Sequence, residues 1–269
     1  MQTAIPAHCK NSRFNNLLRR IMLQQIAEIE AHSLTAIPAL RTEVYDGWHL
    51  RFARNHTRRA NSVNVVTHGV LPLPEKIAHC ETAYAAERQT CHFRLTPLAN
   101  PELDACLEAR EYGYFGETEV RIQELAGDLT LDPGKDLVSY DPASEFWLKG
   151  IAALTGQDKS KQQVFREMLS LIDMRIHAIG ILCGKQIVAC GMGVSAGSYL
   201  GLFEFATHRK FRRRGFAGRI ARHMQAEAQE SGAKAAYLQV VAENRLGQDF
   251  WAEMGFVDVL YRYHYRTRL

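Results

Sequence analysis

The feature that most constrains this chain is a short basic loop, Arg212-Arg213-Arg214-Gly215-Phe216-Ala217, set between a strand-like run and a helix-like run. Tyr199 to Thr207 reads as the strand, and Gly215 to Glu230 reads as the helix, closed by Gly232. A strand that feeds a helix through a Gly-containing basic loop is an anion site by mechanism. The first helical N–H groups lack intrahelical acceptors, and the helix dipole favours negative charge there. Gly215 lets the backbone approach a phosphate, Ala217 avoids crowding it, and the arginines add charge-assisted hydrogen bonds. The competing reading is a solvated basic turn, since an isolated R-x-x-G-x-A also arises by chance.

The surrounding pattern is that of a mixed α/β protein. Arg175 to Cys183, Gln186 to Val194 and Tyr199 to Thr207 read as three successive strands, turned at Gly184-Lys185 and Ala196-Gly197-Ser198. After the basic loop and its helix come a strand (Ala235 to Val241), a helix (Arg245 to Met254), Gly255, and a last strand (Phe256 to Arg266). Upstream, Phe14 to His32 carries apolar residues at three-four spacing, which predicts a helix with a packed stripe and a solvated basic face. Trp48 to Phe52, Ser62 to Val66, His92 to Thr96 and Thr118 to Leu125 read as strands. Pro74 to Arg88, Pro101 to Glu111, Phe146 to Leu154 and Lys159 to Ile172 read as helices. Between the halves, Ala126 to Ala143 holds Gly127, Asp132-Pro133-Gly134 and Asp141-Pro142, and reads as a linker. The halves rhyme: a strand, a helix ending Glu111-Tyr112-Gly113-Tyr114 and a strand in the first; a strand, a helix ending Met254-Gly255-Phe256 and a strand in the second. This is either an internal duplication or two αβ units that each close on glycine.

Composition narrows the class. With 269 residues, 46% hydrophobic and 23% charged, the chain is an ordinary globular one. No apolar run approaches the roughly 20 residues of a membrane span, and Met1 to Ser12 has no apolar signal core, so the cytoplasm is the expected location. Six cysteines form no CxxC pair and sit mostly among apolar neighbours; they read as small buried hydrophobes, with Cys183 and Cys190 able to face each other across a hairpin. No metal site is implied. A net charge of +4 does not itself call for nucleic acid, and the basic clusters lack interleaved aromatics.

Taken together, the order of hairpin, strand, R-x-x-G-x-A, helix, strand, Asn244, helix and Gly255-Phe256 resembles the GNAT superfamily of N-acetyltransferases over residues 176–266. The resemblance implies that Arg212, Arg213, Arg214, Gly215, Phe216, Ala217 and Gly218 hold the pyrophosphate of acetyl-CoA. It also implies that the backbone of Phe205, Ala206 and Thr207 holds the pantetheine arm, and that Asn244 contacts it. Asp46-Gly47-Trp48-His49-Leu50-Arg51-Phe52-Ala53, followed by Thr57 to Asn64, is similar to a signature of two-domain bacterial members whose first half is a degenerate copy. With no R-x-x-G-x-A before the helix at Pro74, that half is expected to bind no acetyl-CoA. Arg58 and Arg59 read as a solvated turn. The implied organisation is tandem GNAT-like domains, each a central mixed sheet flanked by helices: a degenerate domain at 1–126, a linker at 127–145 and a catalytic domain at 146–269.

Two positions depart from the family pattern. Where ternary-complex members carry a Tyr as general acid, this chain has Trp251, whose indole N–H has no usable acidity. Where some carry a Glu base, it has Gln239. Water, or Tyr261, Tyr263 or Tyr265, is left to serve the leaving thiolate, which with a pKa near about 8.5 leaves without full protonation. Glu204, in the apolar run Leu202-Phe203-Glu204-Phe205, is the candidate base, because a desolvated carboxylate has a raised pKa. Against this, strand alternation turns it away, or it pairs with Arg209. Glu243 stands second. The expected function is acetyl transfer from acetyl-CoA to a primary amine of a small molecule or peptide, nucleic acid and membrane not being expected partners. The alternative is a non-catalytic acyl-CoA-binding protein. The acceptor and the oligomeric state are not legible.

Overall fold

The structure, a computed structural model, describes residues 7–268, with side chains from Asn16 onward. The readings of Met1 to Pro6, and of Cys9 and Phe14 as side chains, fall outside what is described.

The first half runs α1 (Ala7–Ala36), β1 (Arg41–Tyr45), β2 (Trp48–Phe52), β3 (Val63–Val65), α2 (Leu73–Ala86), β4 (His92–Leu95), α3 (Pro101–Glu108) and β5 (Gly113–Glu124). The second runs β6 (Leu137–Tyr140), α4 (Glu145–Thr155), α5 (Lys159–Leu169), β7 (Arg175–Cys183), β8 (Gln186–Ala196), β9 (Tyr199–Thr207), α6 (Phe216–Glu230), β10 (Ala235–Val241), α7 (Arg245–Glu253) and β11 (Asp258–Thr267). All eleven strands join one sheet in the order β1-β2-β3-β4-β11-β5-β10-β9-β8-β7-β6.

That order has a pseudo-twofold centre between β11 and β5. On one side β4 pairs antiparallel with β11 and parallel with β3, which pairs antiparallel with β2. On the other, β10 pairs antiparallel with β5 and parallel with β9, which pairs antiparallel with β8. Each half has therefore handed its last strand across the centre, where β5 and β11 pair antiparallel. The topology repeats element for element, including the helices α2 and α6, α3 and α7. The sequence rhyme is thus matched by a structural repeat, and the strand exchange keeps either half from completing its sheet alone.

The helices sort by face. Leu50, Val63, Phe93 and Leu95 pack with Ile77, Leu103 and Leu107 of α2 and α3. Ile179, Leu202 and Leu238 pack with Ile220 and Met224 of α6 and Trp251 of α7. The opposite face packs Met192, Phe203, Tyr237, Tyr261 and Tyr263 against Ile26 and Ile29 of α1, Trp147 and Ile151 of α4 and Phe165 of α5. α1 is also fixed by a buried ion pair. Glu30 accepts two hydrogen bonds from Arg94, at 2.5 and 2.8 Å, and a third from Tyr261 Oη. On the α6 face His177 bridges Ser195 at 2.8 Å and Glu227 at 2.7 Å, a polar strut that joins β7, β8 and α6.

Four expectations are corrected. The apolar stripe of α1 packs only in its second half: Ile26 and Ile29 are buried, but Leu17, Leu18, Ile21 and Met22 are exposed. The 127–145 segment contains β6, paired with β7, and Arg219 of α6 grips it through Asp132 and Asp136. β1, which the sequence reading left unassigned, is an edge strand with a mostly polar sequence, RTEVY. Cys183 and Cys190 do not face each other: Cys190 is opposite Gly180, Cys183 is opposite Gln186, and both are free thiols.

Candidate functional site

β9 and β10 pair in parallel from Tyr199↔Ala235 to Leu202↔Leu238 and no further. Beyond Leu202 the strands part, so the edge of Phe203 to Thr207 that faces β10 carries unpaired backbone groups. The divergence coincides with a β-bulge. Between the pairs Cys190↔Ala206 and Met192↔Phe203, β8 supplies one residue, Gly191, while β9 supplies two, Glu204 and Phe205. Glu204 takes φ +53°, the left-handed region. Gly191 is required because a Cβ there would lie 2.9 Å from Phe205 Cζ. Phe205 then turns to the α6 face and meets Trp251 edge-on, with centroids 5.0 Å apart.

The bulge decides where Glu204 points. Strict alternation would send it to the α6 face; the extra residue leaves it on the α1 face beside Phe203, whose ring lies 5.6 Å from the Arg59 guanidinium. Arg59, not Arg209, is the charge that acts on Glu204, and it pulls the carboxyl's pKa down against the larger effect of burial, which raises it. Of the expected alternatives for Glu204, pairing with Arg209 is replaced by this arrangement, since no ion pair joins the two among the described residues.

The basic loop leaves β9 through a 3-10 turn at Arg209–Phe211 and reaches α6 through two left-handed residues, Arg213 (φ +59°) and Gly215 (φ +74°). Alternating backbone handedness of this kind directs successive N–H groups into a concave nest. α6 begins at Phe216 with no side-chain cap and no acidic residue in its first turn, so the opening amides are left for an outside acceptor. A Cβ at Gly215 would meet nothing within 4 Å, so the space in front of the nest is open. Arg212, Arg213 and Arg214 make no ion pair among the described residues; Arg212 Nε donates to Thr207 O at 3.3 Å, and Arg214 lies over the Phe211 ring. Gly218 serves packing instead of openness: it is buried, and a Cβ there would lie 3.2 Å from Met254 Sδ.

The repeat supplies an internal contrast. In the first half the corresponding loop runs from β3 to α2, and there the Asp46 carboxylate takes two loop N–H groups just ahead of the helix. Val70 N and Leu71 N both donate to it at 2.9 Å. Lys76 Nζ, fully buried, donates to Asp46 Oδ2 at 2.9 Å and to the carbonyls of Asp46 and His68 at 2.7 Å. The Lys76 hydrogen bond and those two amides hold the Asp46 pKa down at about 2. In the first half the loop amides ahead of the helix are taken by the chain's own carboxylate; in the second half no described carboxylate meets the basic loop.

The remaining expected residues fall around the splay. Asn244 caps α7, its Oδ1 accepting from Gly247 N at 3.0 Å. Trp251 is buried against Phe205 and Phe256. Gln239 is held between Ser33 Oγ at 2.6 Å and Tyr263 Oη at 2.8 Å. Tyr261 is tied to Glu30, and burial raises its pKa well above the ordinary value. Among the described residues no cluster of three His, Cys, Asp or Glu side chains offers a metal site.

A cavity of about 560 Å³ lies where the two halves meet. Its walls are the loop Thr57–Arg59, the start of β5 from Tyr114 to Thr118, the end of β10 with Gln239, Val241 and Glu243, and Tyr263 and Tyr265 of β11. Arg58 and Arg59 are therefore not a solvated turn. Both are half-buried wall residues, an outcome that depends on a pairing between distant segments and leaves no local sequence signal.

Residues 144–256 match the acetyltransferase (GNAT) family. No curated protein matches the chain. Among solved structures, a GCN5-related N-acetyltransferase from Kribbella flavida is similar with TM-score 0.65 and 17% identity, over 90% of this chain and 94% of that one. Another from Sphaerobacter thermophilus has TM-score 0.59 and 15% identity, over 77% and 72%. A tandem GNAT protein from the clavulanic acid biosynthesis pathway has TM-score 0.56 and 14% identity, over 77% and 74%. Residues 144–256 thus resemble the GNAT acetyltransferase family, and the chain as a whole has the GNAT fold in tandem form.

Proposed function

We propose that this chain transfers an acetyl group from acetyl-CoA to a primary amine. The observation that carries the reading is the contrast between the two β-to-α loops: Asp46 ties up amides of the first, while the second presents an uncapped helix start and, among the described residues, arginines without ion pairs, beside an open strand edge. In this reading the amides from Gly215 to Gly218, with Arg212, Arg213 and Arg214, take the pyrophosphate. The free edge of Phe205, Ala206 and Thr207 holds the pantetheine arm, and Asn244 Nδ2 remains available to it because only Oδ1 is spent on the cap. Acetyl-CoA supplies an activated acetyl thioester. Residues 146–269 carry this machinery, and residues 1–126 form the degenerate partner.

Glu204 then holds the proton. Burial makes its carboxylate more basic than usual, and Arg59 keeps that rise in check. It takes one proton from the ammonium, directly or through water, to free the nitrogen lone pair. The C–N bond forms as the C–S bond breaks, and the second nitrogen proton is delivered to the departing sulfur. With Trp251 at the usual acid position, that delivery falls to water or to a tyrosine of the cavity wall, Tyr263 or Tyr265.

The second reading, a protein that binds acyl-CoA without turnover, is favoured by Trp251 alone. Calorimetric titration with acetyl-CoA, followed by thiol release measured across amines, separates the two. The proposal expects one site per chain and amine-dependent thiol release. Tight binding without release for any amine would favour the second reading.

A further inference from the structure

The buried arginines among the described residues are all matched, Arg51 by three backbone carbonyls and the others by carboxylates. Arg94 has Glu30, Arg121 has Glu119, and Arg266 has Asp104. The two arginines of the central cavity are not. Among the described residues neither guanidinium of Arg58 or Arg59 forms an ion pair or hydrogen bond, yet both are held in place. Arg58 lies 4.2 Å from the Phe115 ring centroid and 5.2 Å from that of Tyr265. Gly116, at φ +65°, makes room for it: a Cβ there would lie 3.0 Å from Arg58 Nη1. Arg59 lies over Phe203. Rings attract a cation through their faces but leave its N–H donors unused. Two half-buried cations that are positioned yet unsatisfied suit a planar anion that bridges them.

We infer that the acceptor is an α-amino acid, or a molecule that presents a free α-amino carboxylate, with its carboxylate bound by Arg58 and Arg59. This rests on the acetyl-transfer reading above. Arg59 lines the cavity and lies over the ring of Phe203, the chain neighbour of Glu204, so a carboxylate on the arginines brings an amine one carbon away towards the proposed base. The α-ammonium gives its proton to Glu204, the nitrogen takes the acetyl group, and the thiol leaves with the second nitrogen proton. Phe115, Tyr265 and Val241 form an apolar wall for the side chain. The first half thereby has a role in the reaction: it supplies the acceptor's counter-charges.

The test uses the full chain and matched pairs that differ only in the carboxylate, phenylalanine against phenethylamine and leucine against isoamylamine. Acetylation is followed as kcat/KM. In parallel, N-acetylphenylalanine and N-acetylphenethylamine are titrated calorimetrically into the CoA-loaded and CoA-free protein. A preference for the carboxylate member on the order of 100-fold is expected in rate and binding, the scale of a desolvated charge pair. In R58Q/R59Q the preference should collapse to a few-fold, with acetyl-CoA affinity within about twofold of wild type; R58K/R59K should keep part of it. Equal or better use of the amines without carboxylate would overturn the inference, as would a double variant that slows both members of each pair equally. Acetyl-CoA affinity is read separately, so loss of the transfer reading shows as no acetyl-CoA binding, while the acetylated probes still judge the cavity.

Discussion

Gly215→Asp asks whether the nest before α6 is an anion site or only a turn. Two costs are separable. Gly215 sits at φ +74°, so any side chain pays roughly 1 kcal/mol for the left-handed backbone, with Asp and Asn the best tolerated. No atom lies within 4 Å of the added Cβ, so no clash is added. In a chain of 269 residues that strain lowers Tm by about 2 °C, which leaves the fold intact. The second cost concerns the ligand. The new carboxylate stands at the mouth of the nest and can take its amides, as Asp46 already takes those of Val70 and Leu71 in the first half. Displacing it, or placing a pyrophosphate against it, costs on the order of 3 kcal/mol, or about 150-fold in affinity. Gly215→Asn carries the same backbone strain without the charge and should lose under tenfold. Titration of acetyl-CoA into the three proteins, with Tm measured for each, is the assay. If the Asp variant is folded and binds as tightly as wild type, the loop holds no phosphate.

Glu204→Gln should lower turnover by about 100- to 10,000-fold with little change in acetyl-CoA affinity, and the loss should shrink at high pH where the amine is already neutral. The same change should stabilise the fold near neutral pH. A carboxyl with a raised native pKa is at no disadvantage below its ordinary 4.5 and costs stability once the pH rises through the native value, so wild type and variant should melt together in acid and separate above it. Glu30→Gln leaves Arg94 buried without its partner and should cost about 3–5 kcal/mol, a fall in Tm of roughly 6–10 °C. Trp251→Phe should leave turnover within about threefold, because no proton passes through the indole, and should cost about 1–2 kcal/mol in packing by chemical denaturation.

Local chemistry was legible and distant pairing was not. β2, β7, β9 and β10 have the bounds their alternation and turn residues predict, and the basic loop stood out because its glycine and its cations are contiguous in sequence. β1 escaped because an exposed edge strand with the sequence RTEVY carries no apolar alternation. β6 escaped because Asp132-Pro133-Gly134 and Asp141-Pro142 punctuate both of its sides. The packed face of Glu204 was undecidable because one bulge residue reverses alternation. Arg58 and Arg59 looked like surface because the wall they face belongs to β5, β10 and β11, some 55 to 205 positions later in the chain.

The strand exchange makes each half depend on the other for its sheet. β11 finds partners in β4 and β5, and β5 finds partners in β11 and β10, so each half's last strand is buried in a sheet the other half builds. Cutting the chain between the halves would strip β5 from beside β10 and β11 from beside β4, leaving open edges in both pieces. The exchange also places Tyr114 to Thr118 of β5 directly beside the end of β10, where β9 and β10 have parted. The cavity's wall is thus a consequence of the topology: its location follows from which strand completes which sheet. Expression of residues 146–269 alone should therefore give an aggregation-prone fragment even though it holds the whole proposed cofactor loop. Co-expression with residues 1–145 should restore a soluble complex that binds acetyl-CoA. A soluble, acetyl-CoA-binding 146–269 fragment with native Tm would show that the exchange is dispensable, and that the first half is held for some reason other than completing the sheet.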